Sequence, residues 1–320
     1  MTRVSAGARL HVGFLNLSLA HARLYGGVGL ALEEPRVTVV ADAADRVECT
    51  DELATEYAAR ACDLLDVPGA AVTIESSLPR HVGLGSGTQL ALATLAAVAA
   101  AYDHEPQVRE RAPALGRGGR SGVGVGAFES GGFLVDAGHP TGQFTTDRPA
   151  DGEWTVPPVV ARHDVPDAWR AVLLVPNAAS GRSGDREDAS MRAAVETADP
   201  GIADELAGLL TRRLLPAMVT GDLGAFGRAA AEFDRLNGSW YADAQGGVYR
   251  PPAGALVDAL TGNPAVDGVG QSSWGPVVYA LTDADRADAA RAAAGTALAE
   301  TGVEGDVRVV SFANDGARTV

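Results

Sequence analysis

The sequence predicts an α+β fold arranged in two domains. Three observations carry this. Residues 4–41 are rich in β-branched and apolar residues, which places strands early in the chain. A strand, a glycine-rich loop and a long helix then follow one another over residues 71–101. The tail closes with a glycine-rich segment, an Ala-rich helix and a last strand, an order that suits a ferredoxin-like unit. With 320 residues and 46% hydrophobic content, there is apolar material for one large or two ordinary domains.

Val4–Leu17 reads as the first strand. Arg9 and His11 lie two apart, so they share one strand face. An arginine and a histidine facing inward together suit a ligand-facing role; a partly exposed edge strand is the alternative. Tyr25-Gly26-Gly27 reads as a turn into a strand, and Arg36–Ala41 as a further strand. Asp51–Leu65 is helical, since Leu53, Tyr57, Ala61, Leu64 and Leu65 recur on one face before Pro68-Gly69 stops the pattern. Ala71–Ser76 alternates and feeds the loop after Pro79.

Leu78–Tyr102 is the centre of the chain. Gly83, Gly85 and Gly87 alternate, so the backbone can adopt positive φ and pass close to a ligand. Ser86 and Thr88 supply hydroxyls, and Gln89–Ala101 is a strong, nearly all-apolar helix former. Free N–H groups and the positive dipole end of such a helix make an anion site. A glycine-rich turn before a buried helix is the plain alternative. No GxxxxGK[ST] loop is present, and GLGSG lacks the dinucleotide-binding spacing.

Residues 103–115 read as a shorter helix. Gly116–His139 is too glycine-dense for a regular element until the strand Gly132–Asp136, and Arg117 and Arg120 stand among its glycines. Pro140–Pro158 reads as a connecting loop with a short strand near Trp154. Trp169–Pro176 is a buried strand, so the domains are expected at 1–165 and 166–320. Gly181–Glu187 is a charged glycine loop, either ligand-facing or a solvated turn. Ile202–Val219 and Leu223–Leu236 are helical, with Pro216 kinking or ending the first and Phe226, Phe233 and Leu236 facing a core. Asn237–Arg250 gathers Trp240, Tyr241 and Tyr249; ring stacking, helix packing and a homodimer interface all remain open. Ala253–Leu260 and Asp283–Glu300 read as helices, and Asp306–Phe312 as the closing strand.

Composition narrows the function classes. All 26 Lys+Arg positions are arginine and the net charge is −15. No basic block offers a patch for nucleic acid. Two cysteines, Cys49 and Cys62, suggest neither a zinc site nor a disulfide framework. The apolar stretch at the N-terminus is too short for a signal peptide, and no run of 18 apolar residues stands out as a membrane span, so a soluble cytoplasmic protein is expected. The acidic, lysine-free composition suggests salt adaptation; codon bias is the alternative. Excess negative charges repel one another unless screened. The melting temperature is therefore expected to rise between dilute buffer and molar KCl. A flat response in calorimetry leaves codon bias as the explanation.

The stretch PRHVGLGSGTQLALA resembles the central motif of the GHMP kinase superfamily, Pro-x-x-x-Gly-Leu-Gly-Ser-Ser. It is more similar to one branch, the β-ribofuranosylaminobenzene 5′-phosphate synthases, with His-Val-Gly-Leu-Gly-Ser-Gly-Thr-Gln. RLHVGFLNLS resembles the first motif of the family, which lines the substrate pocket. Gly-Arg-Gly, Ser-Gly-Val-Gly and Phe-Glu-Ser-Gly-Gly within Gly116–Gly132, and Gly-Gln-Ser-Ser-Trp-Gly-Pro at Gly270–Pro276, resemble the synthase branch again. The resemblance implies the GHMP two-domain architecture with a ferredoxin-like C-terminal domain. It implies phosphate binding by Gly83, Leu84, Gly85, Ser86, Gly87, Thr88, Gln89, Arg117, Ser272 and Ser273. Arg9, His11, Arg120, Ser121 and Glu129 are the implied catalytic residues, and Trp274 lies against an aromatic substrate; metal ligands are not identified. In kinases of the superfamily the segment commonly reads Ser-Gly-x-Asp and a lysine assists. Here Gly124 stands at the Asp position and lysine is absent, which argues against phosphoryl transfer by that route. The implied reaction joins a 4-substituted benzoate, such as 4-aminobenzoate, to phosphoribosyl pyrophosphate with Mg²⁺, releasing CO₂ and pyrophosphate, as in methanopterin biosynthesis. An ATP-dependent small-molecule kinase and a non-enzymatic ligand-binding protein are the rival readings.

Overall fold

The computed structural model describes residues 2–147, 149–177 and 185–319. Most of the charged loop Gly181–Glu187 thus lies outside the described residues. The first half comprises β1 (Thr2–Asn16), β2 (Arg23–Ala43), α1 (Glu52–Leu65), β3 (Ala70–Ser76), α2 (Ser86–Ala101), α3 (Val108–Arg111), α4 (Val123–Ser130), β4 (Phe133–Asp136), β5 (His139–Pro140) and β6 (Val159–His163). The second half comprises β7 (Trp169–Pro176), α5 (Asp185–Thr197), α6 (Pro200–Leu209), α7 (Leu215–Thr220), α8 (Leu223–Ser239), α9 (Ala242–Gln245), α10 (Ala253–Leu260), β8 (Gly268–Gln271), β9 (Val278–Asp283), α11 (Ala287–Thr301), β10 (Gly305–Ser311) and β11 (Arg318–Thr319).

A seven-stranded sheet follows the order β11-β1-β2-β4-β6, with β3 and β5 also paired to β2. A four-stranded sheet follows the order β10-β7-β9-β8, the ferredoxin-like arrangement. The chain changes sheet between His163 and Trp169, and its last strand returns to pair with β1.

Residues 25–41 form one strand instead of a turn and two strands. β1 pairs with β2 from Thr2↔Ala41 to Asn16↔Tyr25, and register shifts after Gly7 and His11 absorb the bend. The glycine-rich stretch after Gly116 also departs from expectation, because Val123–Ser130 is helical. Close packing explains its glycines. A Cβ at Gly124 would stand 3.1 Å from Thr88 Cγ2 on α2, and one at Gly126 3.2 Å from Val159 Cγ2. Trp154 is buried without a strand around it and donates from Nε1 to Arg117 O at 3.0 Å. At Pro216 the helix does not stop: a π-helical turn, Leu210–Leu214, joins α6 to α7 just ahead of the proline.

Side-chain alternation ties the sheets to their layers. On β7 and β9, Trp169, Ala171, Leu173, Tyr279 and Leu281 join the main core, while Val172, Leu174, Val278 and Ala280 face α10 and α11. α8 bridges both sheets. Its Phe226 lies 5.6 Å from Phe133 of the first and 5.1 Å from Trp169 of the second, ring centre to ring centre. Asn237 at its far end donates to Phe14 O at 2.8 Å, which fixes β1 against the second half. α2 is buried from Gln89 to Ala99, sealed by β1, β2, α1 and α4. Among the described residues no helix is long and apolar enough to cross a membrane.

Candidate active site

The glycine loop opens onto a cleft of about 790 Å³ between the two halves. Gly83 (φ 98°) and Gly85 (φ 79°) take the left-handed conformation that the alternating glycines allow. Gly85 is also the N-cap of α2, so the free N–H groups of the first turn face the cleft. The second half holds this loop in place. Ser272 Oγ donates to Gly83 O at 2.8 Å and accepts from His11 N at 3.1 Å. Gly275 presses on the loop so closely that a Cβ there would stand 1.9 Å from Val82 O.

Arg9, Arg80, Arg117 and Arg120 line the cleft. Arg9 Nη1 donates to Gly83 O at 2.5 Å, and its stem lies beside Gly85. Arg117 sits 5.3 Å over the Tyr57 ring, donates to the Tyr57 hydroxyl, and lies above Gly87. Arg120 donates to Asp188 on α5, across the cleft from its own loop. Arg80 grips both oxygens of Asp51, at 2.8 and 2.6 Å, while Asp51 caps α1 through Ala54 N.

The structure brings together Arg9, His11, Arg117, Arg120, Ser121, Ser273, Trp274 and the loop residues Gly83, Gly85, Ser86, Gly87 and Thr88. Four expected residues stand elsewhere. Glu129 is not on the cleft; it is bound by Arg109 Nε at 3.0 Å from its Oε2, near the far end of α4. Ser272 is wholly buried, with its hydroxyl taken up by Gly83 O and His11 N, so it braces the loop. Gln89 is wholly buried and donates to Gly124 O at 2.8 Å. Leu84 points its side chain into the core, as an apolar residue between two glycines should.

Some residues that line or support the cleft escaped the sequence reading. Asp136 ends β4 fully buried; Oδ2 accepts from Ser121 Oγ at 2.9 Å and Gly122 N at 2.7 Å, and Oδ1 from Gly138 N at 2.8 Å. Burial pushes its carboxyl up to about 6, against these donors. It sets the Ser121 loop at the cleft wall. An acid closing an otherwise apolar strand was the available signal. Glu52 and Glu56 on α1 also face the cleft. They sit at i and i+4 of a helix read from its apolar face alone. Asp188 carried no signal, because its role depends on meeting Arg120.

Behind the cleft lies a smaller annex of about 20 Å³, walled by His11, Phe14, Asn237, Tyr241, Tyr249, Gln271 and Trp274. Tyr241 meets Trp274 edge to face at 4.6 Å. Trp240 instead donates to Asp199 O at 3.3 Å and packs within the chain. His11 is 4% exposed, and its Nε2 has no hydrogen-bond partner among the described residues. Burial and then the Arg9 charge lower its pKa to about 3, so the ring is neutral at ordinary pH.

A pair of domain profiles matches the chain: the GHMP kinases N terminal domain over residues 48–132 and the GHMP kinases C terminal domain over residues 214–300. Solved structures agree in fold. A mevalonate pyrophosphate decarboxylase from Streptococcus pyogenes superposes with a TM-score of 0.69 at 14% identity, covering 98% of this chain and 97% of that one. A homoserine kinase from Cytophaga hutchinsonii gives 0.66 at 16% identity, covering 100% and 97%. Fold and domains thus define the superfamily, a two-domain α+β architecture around a phosphate-type loop. Two curated relatives are more specific. β-Ribofuranosylphenol 5′-phosphate synthases from Methanothermobacter thermautotrophicus and Archaeoglobus fulgidus are 34% and 33% identical, covering 88% and 89% of this chain and the same shares of their own. The chain belongs to the GHMP kinase superfamily and, within it, to the family of these synthases.

Proposed function

We propose that this enzyme joins the ring carbon of a 4-substituted benzoate to C1′ of phosphoribosyl pyrophosphate, with loss of CO₂ and pyrophosphate. The single observation that carries the reading is the ring of arginines around a glycine loop whose kinase-type Asp position is Gly124, packed against Thr88. A site for binding and releasing pyrophosphate needs cations and N–H donors; it needs no strong base at that position. The relatives are named for a phenol product, which favours a 4-hydroxyl on the acceptor over the amino group of 4-aminobenzoate.

In this reading the first turn of α2, with Arg9 and Arg117, holds the pyrophosphate, and Arg120 is drawn from Asp188 onto the leaving group. Phe14 and Trp274 bound the place for the acceptor ring. Proximity supplies much of the rate, because the developing positive charge at C1′ needs only a carbon nucleophile held close. No cluster of three or more His, Cys, Asp or Glu side chains is built to hold a metal among the described residues. Mg²⁺ would be held largely by the substrate's own phosphates, with Glu52 and Glu56, the latter now paired with Arg60 at 2.8 Å, as the carboxylates on the cleft. Such an ion supplies charge neutralisation for the departing pyrophosphate.

The test is a product assay. Incubation with phosphoribosyl pyrophosphate and labelled 4-hydroxybenzoate should release labelled CO₂ and pyrophosphate in equal amounts, and ATP with small alcohols should yield no ADP. ADP formation without CO₂ would move the protein to the kinases. Tight binding of phosphate ligands with no turnover would make it a binding protein.

A further inference from the structure

The phosphate chemistry leaves the annex behind the cleft unused. Its volume of about 20 Å³ suits one oxygen atom and excludes an aromatic ring. His11, Phe14, Ser273 and Trp274 line both chambers, so a ring between Phe14 and Trp274 in the cleft would send its far substituent into the annex. Most polar groups there are engaged. Gln271 accepts from Arg250 N at 2.8 Å and donates to Ser273 O at 2.9 Å, Asn237 donates to Phe14 O at 2.8 Å, and Asp234 accepts from Gln271 N at 2.8 Å. His11 Nε2 is the buried ring nitrogen with no partner among the described residues. Arg9 shares its strand face, about 6.6 Å along the strand, and reaches the glycine loop. The same strand thus presents a cation to the pyrophosphate end of a para-substituted ring and an imidazole to its other end.

We propose that the annex seats the 4-oxygen of the acceptor and that His11 Nε2 takes that oxygen's proton while the carbon–carbon bond forms. The inference rests on the synthase reading above. Ring π electrons form the C1–C1′ bond as the C1′–oxygen bond breaks and its electron pair leaves with pyrophosphate. The ring now carries positive charge, shared onto the 4-oxygen. His11 Nε2 accepts the 4-O–H proton, leaving a cyclohexadienone that still bears its carboxylate. The C1–carboxylate bond then breaks, its electron pair restores the aromatic ring, and CO₂ departs. The proton returns from His11 to the 4-oxygen, so no net proton is used. A weakly basic imidazole suits this cycle. The protonated dienone is a strong acid and gives up its proton readily, and an imidazole kept neutral by burial is ready to receive it.

Two variants test the idea in the full-length protein. His11→Ala should slow CO₂ release from 4-hydroxybenzoate roughly 100-fold or more, and added imidazole should restore part of the rate. His11→Phe keeps a ring in the space, should be as slow, and should not respond to imidazole. Both should bind phosphoribosyl pyrophosphate with wild-type affinity in calorimetry, which also reports that they are folded. A His11→Phe rate within a few-fold of wild type overturns the inference, as does a slow, folded His11→Ala that imidazole does not rescue; in either case wild-type CO₂ release still upholds the synthase reading. If the wild-type protein releases no CO₂ from any 4-substituted benzoate, the synthase reading falls and this inference falls with it.

Discussion

Gly85→Val is expected to abolish phosphoribosyl pyrophosphate binding while leaving the fold standing. Two effects combine at this position. Gly85 holds φ at 79°, where a β-branched residue is strained by about 1–2 kcal/mol. Its Cβ would also stand 3.1 Å from Arg9 Cγ and 3.3 Å from Arg9 Nε, so the valine methyls would push that side chain off the loop. Losing Arg9 and misaiming the first N–H groups of α2 removes two or more charge-assisted contacts, each worth about 1.5–3 kcal/mol. Affinity in calorimetry should therefore fall by about 100-fold or more, as each 1.4 kcal/mol is tenfold. Circular dichroism should be unchanged, because α2 is held by burial from Gln89 to Ala99 and not by its cap. Unchanged affinity would remove the loop from the phosphate site.

Arg120→Lys is expected to lower turnover sharply with little change in affinity for the aromatic acid. The guanidinium lies on the cleft wall and donates to Asp188, an exposed carboxylate on α5. Exchange of that partner for pyrophosphate oxygens keeps the cation paired throughout. Lysine keeps the charge but loses the planar fork that meets two oxygens at once. Loss of one well-placed donor to a developing anion costs about 10²–10³ in kcat, and Arg120→Ala should be at least as slow. A residue that served only as a surface partner of Asp188 would tolerate either change, since exposed ion pairs contribute about 0–1 kcal/mol. Wild-type rates for both variants would exclude Arg120 from the reaction and weaken the synthase reading. Asp188→Asn is the companion measurement: freed from its competitor, Arg120 should bind phosphoribosyl pyrophosphate more tightly.

The parts of this protein that were legible in the sequence are those that depend on nearby residues. The apolar face of residues 51–65 and the Pro68-Gly69 stop specify α1 almost to the residue, because 3.6-residue periodicity is local. Gly83-Leu84-Gly85-Ser86 ahead of an Ala- and Leu-rich run specifies the tight loop before α2, because glycine takes those φ angles without strain. Motif order was enough to place Arg9, Arg117, Arg120, Ser121 and Trp274 around one cleft.

Contacts across long stretches of chain decided the rest. The helix Val123–Ser130 forms despite its glycine content, packed so closely by Thr88, Val159 and Leu134 that a Cβ on Gly124 or Gly126 would stand only 3.1–3.3 Å from them. Ser272 became a brace because His11 N and Gly83 O, far away in sequence, consume its hydroxyl. Glu129 left the site because Arg109 stands beside it on the outer side of α4. Asp136 entered the site's supporting wall because β4 ends beneath Ser121. By itself, then, the sequence determined the fold class, the glycine loop and three of the four arginines named on the cleft, Arg9, Arg117 and Arg120 but not Arg80, all of which rest on local conformation and residue order. Only the tertiary structure decided which hydroxyls and carboxylates face the cleft, and that His11 borders an oxygen-sized annex with a ring nitrogen that has no partner among the described residues. A side chain's direction and its partners are set by packing between elements, and no single segment encodes that packing.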